Sequence, residues 1–419
     1  MGDPKDCTPM REHADYIIRS AIAAVLPDAA VKRALEDAVF PGRVILVAAG
    51  KAAWQMGKTA WDCLGSRITK GIIITKYGHV MGPVGHLLCR EAGHPVPDEN
   101  TFAATGEALE LVSGLTEEDT VLFLLSGGGS ALFEKPLIPG EELQDITRQL
   151  LACGADIVQI NTIRKRLSGV KGGRFAQACA PAKVFSIVLS DVLGDPLDMI
   201  ASGPACPDSS TCAMALAIAE KYRLRLSPKA WECLRQETPK ELSNVTTRIT
   251  GSVRELTVAA ANAARKLGYA PVILTDRLDC QARDAGVWLA SMAAEERDTP
   301  TALIAGGETV VTLTGNGKGG RNQELALAGA PVIAGMEHVC LFSIGSDGTD
   351  GPTDAAGGYV DGATEEILAE QGIDIARVLR DNDAYHALEK SGGLIKTGPT
   401  GTNVNDVSVL LIGGKLENR

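Results

Sequence analysis

Several stretches of this chain gather residues that could handle a small anion. Thr120 to Leu132, TVLFLLSGGGSAL, runs apolar as far as Leu125 and then turns into Ser126, Gly127, Gly128, Gly129 and Ser130. Glycines at the end of a buried strand can take positive φ and bring backbone N–H groups close to a phosphate, and a helix starting beyond them would favour negative charge. A tight strand-to-helix turn needs the same glycines, so this stretch alone leaves both readings open. Lys51 follows another apolar run in AAGKAA, a strand-end position from which an ammonium group can point into a cleft or simply be solvated. Asn161 to Gly173, NTIRKRLSGVKGG, packs Arg164, Lys165, Arg166 and Lys171 into a short span. That is local positive charge suited to phosphate, or else a solvated helix face followed by a turn.

Carboxylates collect at two further strand ends. Leu189 to Pro204, LSDVLGDPLDMIASGP, carries Asp191, Asp195 and Asp198 after an apolar run. Such groups can ligate Mg²⁺ or accept a hydroxyl proton. Phe342 to Asp354, FSIGSDGTDGPTD, places Asp347, Asp350 and Asp354 among glycines, with a spacing that lacks the glutamate and register of an EF-hand. Turn-forming aspartates would account for either segment as well. In Gly306 to Glu324, GGETVVTLTGNGKGGRNQE, Glu308 and Arg321 fall on adjacent loops. A guanidinium fork there matches a carboxylate or phosphoryl group, unless the segment is a surface hairpin with solvated charges.

The elements that must hold these residues alternate. After an opening helix over Met10 to Leu26, the runs at 44–49, 71–75, 121–125 and 184–190 read as strands separated by helical spacers, the pattern of βαβ units and a mostly parallel sheet. Around 223–250 the chain turns polar, and a boundary near Val245 separates a domain of residues 1–245 from one of 246–419. The second half has its own strands at 271–275, 302–307, 310–314, 339–345 and 407–413. The close spacing of 302–307 and 310–314 predicts a hairpin and hence a mixed sheet. The fold class expected is therefore α/β in two domains, with a Rossmann-like mostly parallel sheet first and a smaller α/β domain second. Two motif matches are set aside. Ala52 to Thr59, AAWQMGKT, fits a relaxed phosphate-loop pattern, but its bulky residues continue a helix. GNGKGG at 315–320 satisfies G-x-G-x-x-G without the acidic residue that a dinucleotide site requires.

Composition narrows the function classes. The chain has 419 residues, 45% hydrophobic and 22% charged, enough apolar material for two cores. Its net charge of −11 argues against a polyanion-binding surface, and aromatics at 4% argue against a stacking platform for nucleic acid. Ten scattered cysteines without a CxxC pair read as reduced thiols in a cytoplasmic protein. No apolar run reaches bilayer-spanning length, and the first residues carry acids and prolines, so membrane insertion and secretion are not expected.

Together, GKAA, LLSGGGSAL, NTIRKRLSGVKGG, LSDVLGDPLDMIASGP, AGGETVVTLTGNGKGGRNQE and SIGSDGTDGPTDAAGG resemble, in order and across nearly the whole chain, the class II glycerate 2-kinase family of MOFRL type. The resemblance implies ATP-dependent phosphorylation of D-glycerate, with Mg²⁺, in a cleft between the two domains, and it favours the C2 hydroxyl. It also implies Lys51 and Arg321 as the functional basic residues. Arg166 stands where the family's segment often reads RKH, which puts an imidazole role there in doubt. Phosphoryl transfer needs positioning and positive charge more than covalent chemistry. On that basis Ser126 to Ser130 and Lys171 are expected to hold nucleotide phosphates, and Asp191 and Asp195 to position Mg²⁺. Arg321, with Glu308, would hold the glycerate carboxylate; Lys51 would offset charge on the moving group; Asp191 or Asp347 would take the hydroxyl proton. The partners expected are D-glycerate and a nucleotide, with a homo-oligomer open. The alternatives are an NAD(P)H-dependent hydroxypyruvate reductase and a catalytically silent sensor of a small acid.

Overall fold

The computed structural model describes residues 9–190, 197–295 and 297–413. Within them the chain divides into two compact units, Pro27–Thr250 and a second made of the residues up to Leu26 together with those from Gly251 onward. The first unit carries β1 (Val44–Ala49), β2 (Ile68–Lys76), β3 (Leu88–Ala92), β4 (Thr120–Leu125), β5 (Lys183–Leu189) and β6 (Val245–Gly251), in the order β3-β2-β1-β4-β5-β6. The pairs β1–β2, β2–β3, β1–β4 and β4–β5 are parallel. Every residue of β1 and β4 is buried, which is why both read as unbroken apolar runs. Strand order reverses between β1 and β4. In an open α/β sheet that reversal leaves a crevice at the carboxyl ends of the two strands, and Lys51 and Gly127 follow those ends directly.

The second unit carries β7 (Ala270–Leu278), β8 (Thr301–Gly307), β9 (Val339–Gly345), β10 (Gly357–Asp361), β11 (Leu394–Ile395) and β12 (Asp406–Ile412), in the order β11-β10-β9-β12-β8-β7. β7 and β8 are parallel and the other four pairings antiparallel, so the sheet is mixed. The expected hairpin does not form. Both sides of β8 are already taken by β7 and β12, leaving no edge for residues 310–314. Val310 instead makes a single bridge to Gln281, and Leu313 stands 80% exposed.

The unit boundary also differs from the one expected at Val245. β6 runs on to Gly251 as an edge of the first sheet; an edge strand half open to solvent needs no continuous apolar run, which is why VTTRITG reads as a polar junction. The helix Pro9–Ala24 packs in the second unit. Its buried face of Ala14, Ile17, Ile18, Ala21 and Ile22 lies against the helix Val253–Lys266 and β9. Residues 52–59 are helical as expected, within Ala53–Leu64, where Gly57 sits against Ile73. No helix of the described residues is long and apolar enough to cross a membrane, and the described cysteines are free thiols.

Candidate functional site

At the crevice of the first sheet, the loops after β1 and β4 are tied together. Lys51 N–H donates to the Gly127 carbonyl at 2.9 Å, and Ser126 Oγ accepts the Ala52 N–H at 3.1 Å. Ser126 is therefore a buried strut between the loops. Gly128 has φ +83°, which a glycine meets without strain. The N–H groups of Gly127 and Gly128 have no acceptor among the described residues, and both glycines are partly exposed. Free amides in a turn form an anion-binding concavity. The Lys51 side chain passes beside them, with Cγ 3.2 Å from where a Gly128 Cβ would stand, and no described carboxylate pairs with its ammonium group.

The reading from sequence missed His94. Its ring lies against the same glycine, Cδ2 and Nε2 each 3.0 Å from the would-be Cβ. The signal available was the proline-punctuated HPVPD that follows β3. Burial, then the charges of Lys51 and Lys76, lower the imidazole below its ordinary 6.5. A folded state that resists protonating a group loses stability as pH falls through the unfolded value and levels off below the folded one. The His94→Gln variant should accordingly lose this part of the acid-side decline below pH 6.5. Chemical denaturation of both proteins between pH 4 and 8 measures it; parallel curves would show that the imidazole is not held neutral.

Ser130 Oγ meets Ser202 Oγ at 3.2 Å, and Ser202 Oγ donates to Asn161 Oδ1 at 2.9 Å. Ala201 and Ser202 both hold positive φ, at 50° and 62°. Such strain persists only where neighbours enforce it; here the Gly172 and Gly173 N–H groups bind the Ser202 and Gly203 carbonyls at 3.0 and 2.7 Å.

Three of the four cations in the basic stretch after Asn161 are enclosed by the fold, and Arg164 is half-buried. Lys171 is wholly buried, with Nζ 3.1 Å from Glu134 Oε2 and 2.9 Å from the Phe133 carbonyl, so the expectation that it touches nucleotide phosphates does not fit. Lys165 and Arg166 are equally inaccessible, locked onto Asp208. With Arg166 so engaged, the departure from RKH removes no exposed group. Asp191 and Asp195 lie outside the described residues. Asp198 accepts Ser209 Oγ and Lys165 Nζ.

In the second unit, Glu308, Asp347 and Asp406 gather where β8 and β9 end and β12 begins. Arg321 opens the helix Arg321–Gly329, which Asp350 caps from a distant loop by accepting the Asn322 and Gln323 N–H groups at 3.1 and 2.8 Å. The glycines of 315–320 permit this close packing, Gly320 against Asp350 and Gly315 and Gly317 against Asp381. Arg321 donates Nε and Nη2 to Asp406 at 2.6 and 3.0 Å, and Nη1 to Glu308 at 2.8 Å. A guanidinium has five N–H donors, so two remain, on a side chain 32% exposed. Burial works to lower Arg321, but Asp406 and Glu308 outweigh it and hold the guanidinium above its ordinary value. Burial pushes the Asp406 carboxyl up to about 6 against the pull of Arg321. A Cβ on Gly345 would stand 3.4 Å from Asp347 Oδ1 and 3.5 Å from Asp406 Oδ1, which puts Asp347 in the same cluster. Asp354 instead faces outward on Lys396. No group of three or more His, Cys, Asp or Glu fit for a metal occurs among the described residues.

Known proteins match nearly the whole chain. The family described as "Domain of unknown function (DUF4147)" matches residues 13–235, and the MOFRL family matches 301–406. The chain is 54% identical to a D-glycerate 2-kinase of Thermotoga maritima over 98% of its own length and 100% of that protein's. It is 40% identical to a glycerate 2-kinase of Pyrococcus horikoshii, covering 97% and 98% of the two. The crystal structure of a glycerate kinase from Thermotoga maritima superposes with a TM-score of 0.92 at 54% identity, over 96% of this chain and 99% of that one.

Proposed function

Because the chain belongs to the MOFRL-type glycerate kinase family, we propose that it transfers the γ-phosphoryl group of ATP to the C2 hydroxyl of D-glycerate, giving 2-phosphoglycerate. It is a glycerate kinase. The observation that carries the reading is the Lys51 side chain, with no carboxylate partner among the described residues, beside two loop N–H groups that have no acceptor among them, at the switch point of a parallel sheet.

The Gly127 and Gly128 N–H groups hold phosphate oxygens, with Ser126 and Ser130 shaping the loop around them. Lys51 stabilises charge that grows on the transferring group, an effect worth most where the donor is already in place. The two N–H groups left on Arg321 grip the glycerate carboxylate as a fork, and Glu308 and Asp406 fix its plane. The substrate hydroxyl gives its proton to a carboxylate, Asp191 or Asp347. Residues for Mg²⁺ are proposed at Asp191 and Asp195; the metal when bound supplies positive charge to the phosphates. A cytoplasmic location fits a consumer of ATP, and neither nucleic acid nor membrane is among the proposed partners.

The pure protein with D-glycerate, ATP and Mg²⁺ should drive enolase and pyruvate kinase without added phosphoglycerate mutase. Signal only with the mutase would mean 3-phosphoglycerate and a different substrate pose. Unchanged ATP in both arms, with NADH consumed on hydroxypyruvate, would replace the kinase by the reductase.

A further inference from the structure

Two cations of NTIRKRLSGVKGG, Arg164 and Lys171, reach the turn that follows the Gly127–Ser130 loop. The four-residue helix Gly129–Leu132 continues that loop. A helix so short cannot hold itself, and its last carbonyls have no partner within it. A half-buried cation and a wholly buried one supply them: Arg164 Nη2 donates to the Ser130 carbonyl at 2.8 Å, and Lys171 Nζ to the Phe133 carbonyl at 2.9 Å. Glu134, wholly buried, pairs with Lys171 at 3.1 Å, and its own N–H donates to Thr105 Oγ1. The turn is thus gripped at both ends, by Arg164 on one side and by the wholly buried Lys171 and Glu134 on the other.

We propose that Arg164 and Lys171 are positioning residues that fix the Gly129–Leu132 turn from behind and so aim the Gly127 and Gly128 N–H groups at the nucleotide phosphates, with Glu134 seating Lys171. These two cations then act on phosphate through the loop. Burial pulls Lys171 down to about 8 while Glu134 opposes it, so the ammonium form prevails at neutral pH. The inference rests on the reading of this loop as the nucleotide site.

Its test separates holding the fold from aiming the loop. Lys171→Met alone strands a buried carboxylate and should unfold easily, whereas the pair Glu134→Gln with Lys171→Met removes both charges of that buried ion pair and leaves the half-buried Arg164 open to solvent. The pair should recover most of the parent Tm yet raise the KM for ATP about tenfold, the worth of one strong hydrogen bond, with the KM for D-glycerate little changed. Arg164→Met should behave likewise, and Arg164→Lys, which keeps a donor for Ser130, should restore the ATP KM. Gly128→Val is the control for the loop itself. If it raises the ATP KM while Arg164→Met and the paired variant do not, the positioning role is overturned and the nucleotide loop stands. If Gly128→Val leaves the ATP KM unchanged, the loop is not the nucleotide site and the inference falls with it.

Discussion

Replacing Lys51 with Ala should lower kcat/KM for phosphoryl transfer by about 10²–10³-fold, roughly 3–4 kcal/mol of transition-state stabilisation, while the Tm stays near that of the parent. The separation of the two effects follows from how the residue is held. Its backbone joins the loops through Gly127, and its carbonyl accepts Thr75 Oγ1 at 3.3 Å, and truncation keeps both bonds. The side chain has no described carboxylate partner to abandon. Steady-state kinetics beside a thermal melt measure both quantities. A folded variant with parental kcat/KM would remove Lys51 from the mechanism. Combining Lys51→Ala with Arg321→Lys extends the test: residues serving one transition state give losses that do not add. Simple additivity would argue that the two units contribute separately.

The second large effect is on stability. Asp208→Ala should cost about 3–5 kcal/mol, because it removes the buried carboxylate that two buried cations share and leaves them only the more exposed Asp198 and Glu237. Asp208 lies 3.0 Å from Lys165 Nζ and 3.6 Å from Arg166 Nη1, and accepts Thr238 Oγ1 at 2.7 Å and the Ser210 N–H at 3.0 Å. Lys165 and Arg166 are 2% and 0% exposed, so water cannot replace the lost carboxylate. Burial by itself would raise the Asp208 carboxyl, but Thr238, Ser210 and Lys165 outweigh it and hold it at about 2. A folded value below the ordinary 3.8 means that this stabilisation is complete at neutral pH and lost as pH falls from 3.8 towards 2. Urea unfolding at pH 7, read at unchanged m, gives the cost. A loss below about 1 kcal/mol would mean that Asp198 and Glu237 are enough to balance Lys165 and Arg166.

Much of this was legible because burial on both faces leaves a simple imprint. β1, β4, β5, β8, β9 and β12 all correspond to apolar runs, and the glycine and lysine at the ends of the first two mark the crevice. The elements that escaped are those with less to bury. β3 and β6 edge the first sheet, β10 begins with two glycines and β11 has two residues, so periodicity had little to register.

The sequence by itself determined the element types, the glycine-rich loops and the family, since each depends on residues near one another in the chain. Only the tertiary structure decided which charges are buried and paired as framework and which are left without a described partner. Arg164, Lys165, Arg166 and Lys171 look alike in sequence, yet their partners Glu134, Ser130, Asp208 and Glu237 come from other segments. The same holds for Asp406, which reaches Arg321 across 85 residues, and for His94 against Gly128. A charge takes its meaning from what desolvates and pairs it, and those groups meet only when the chain has folded.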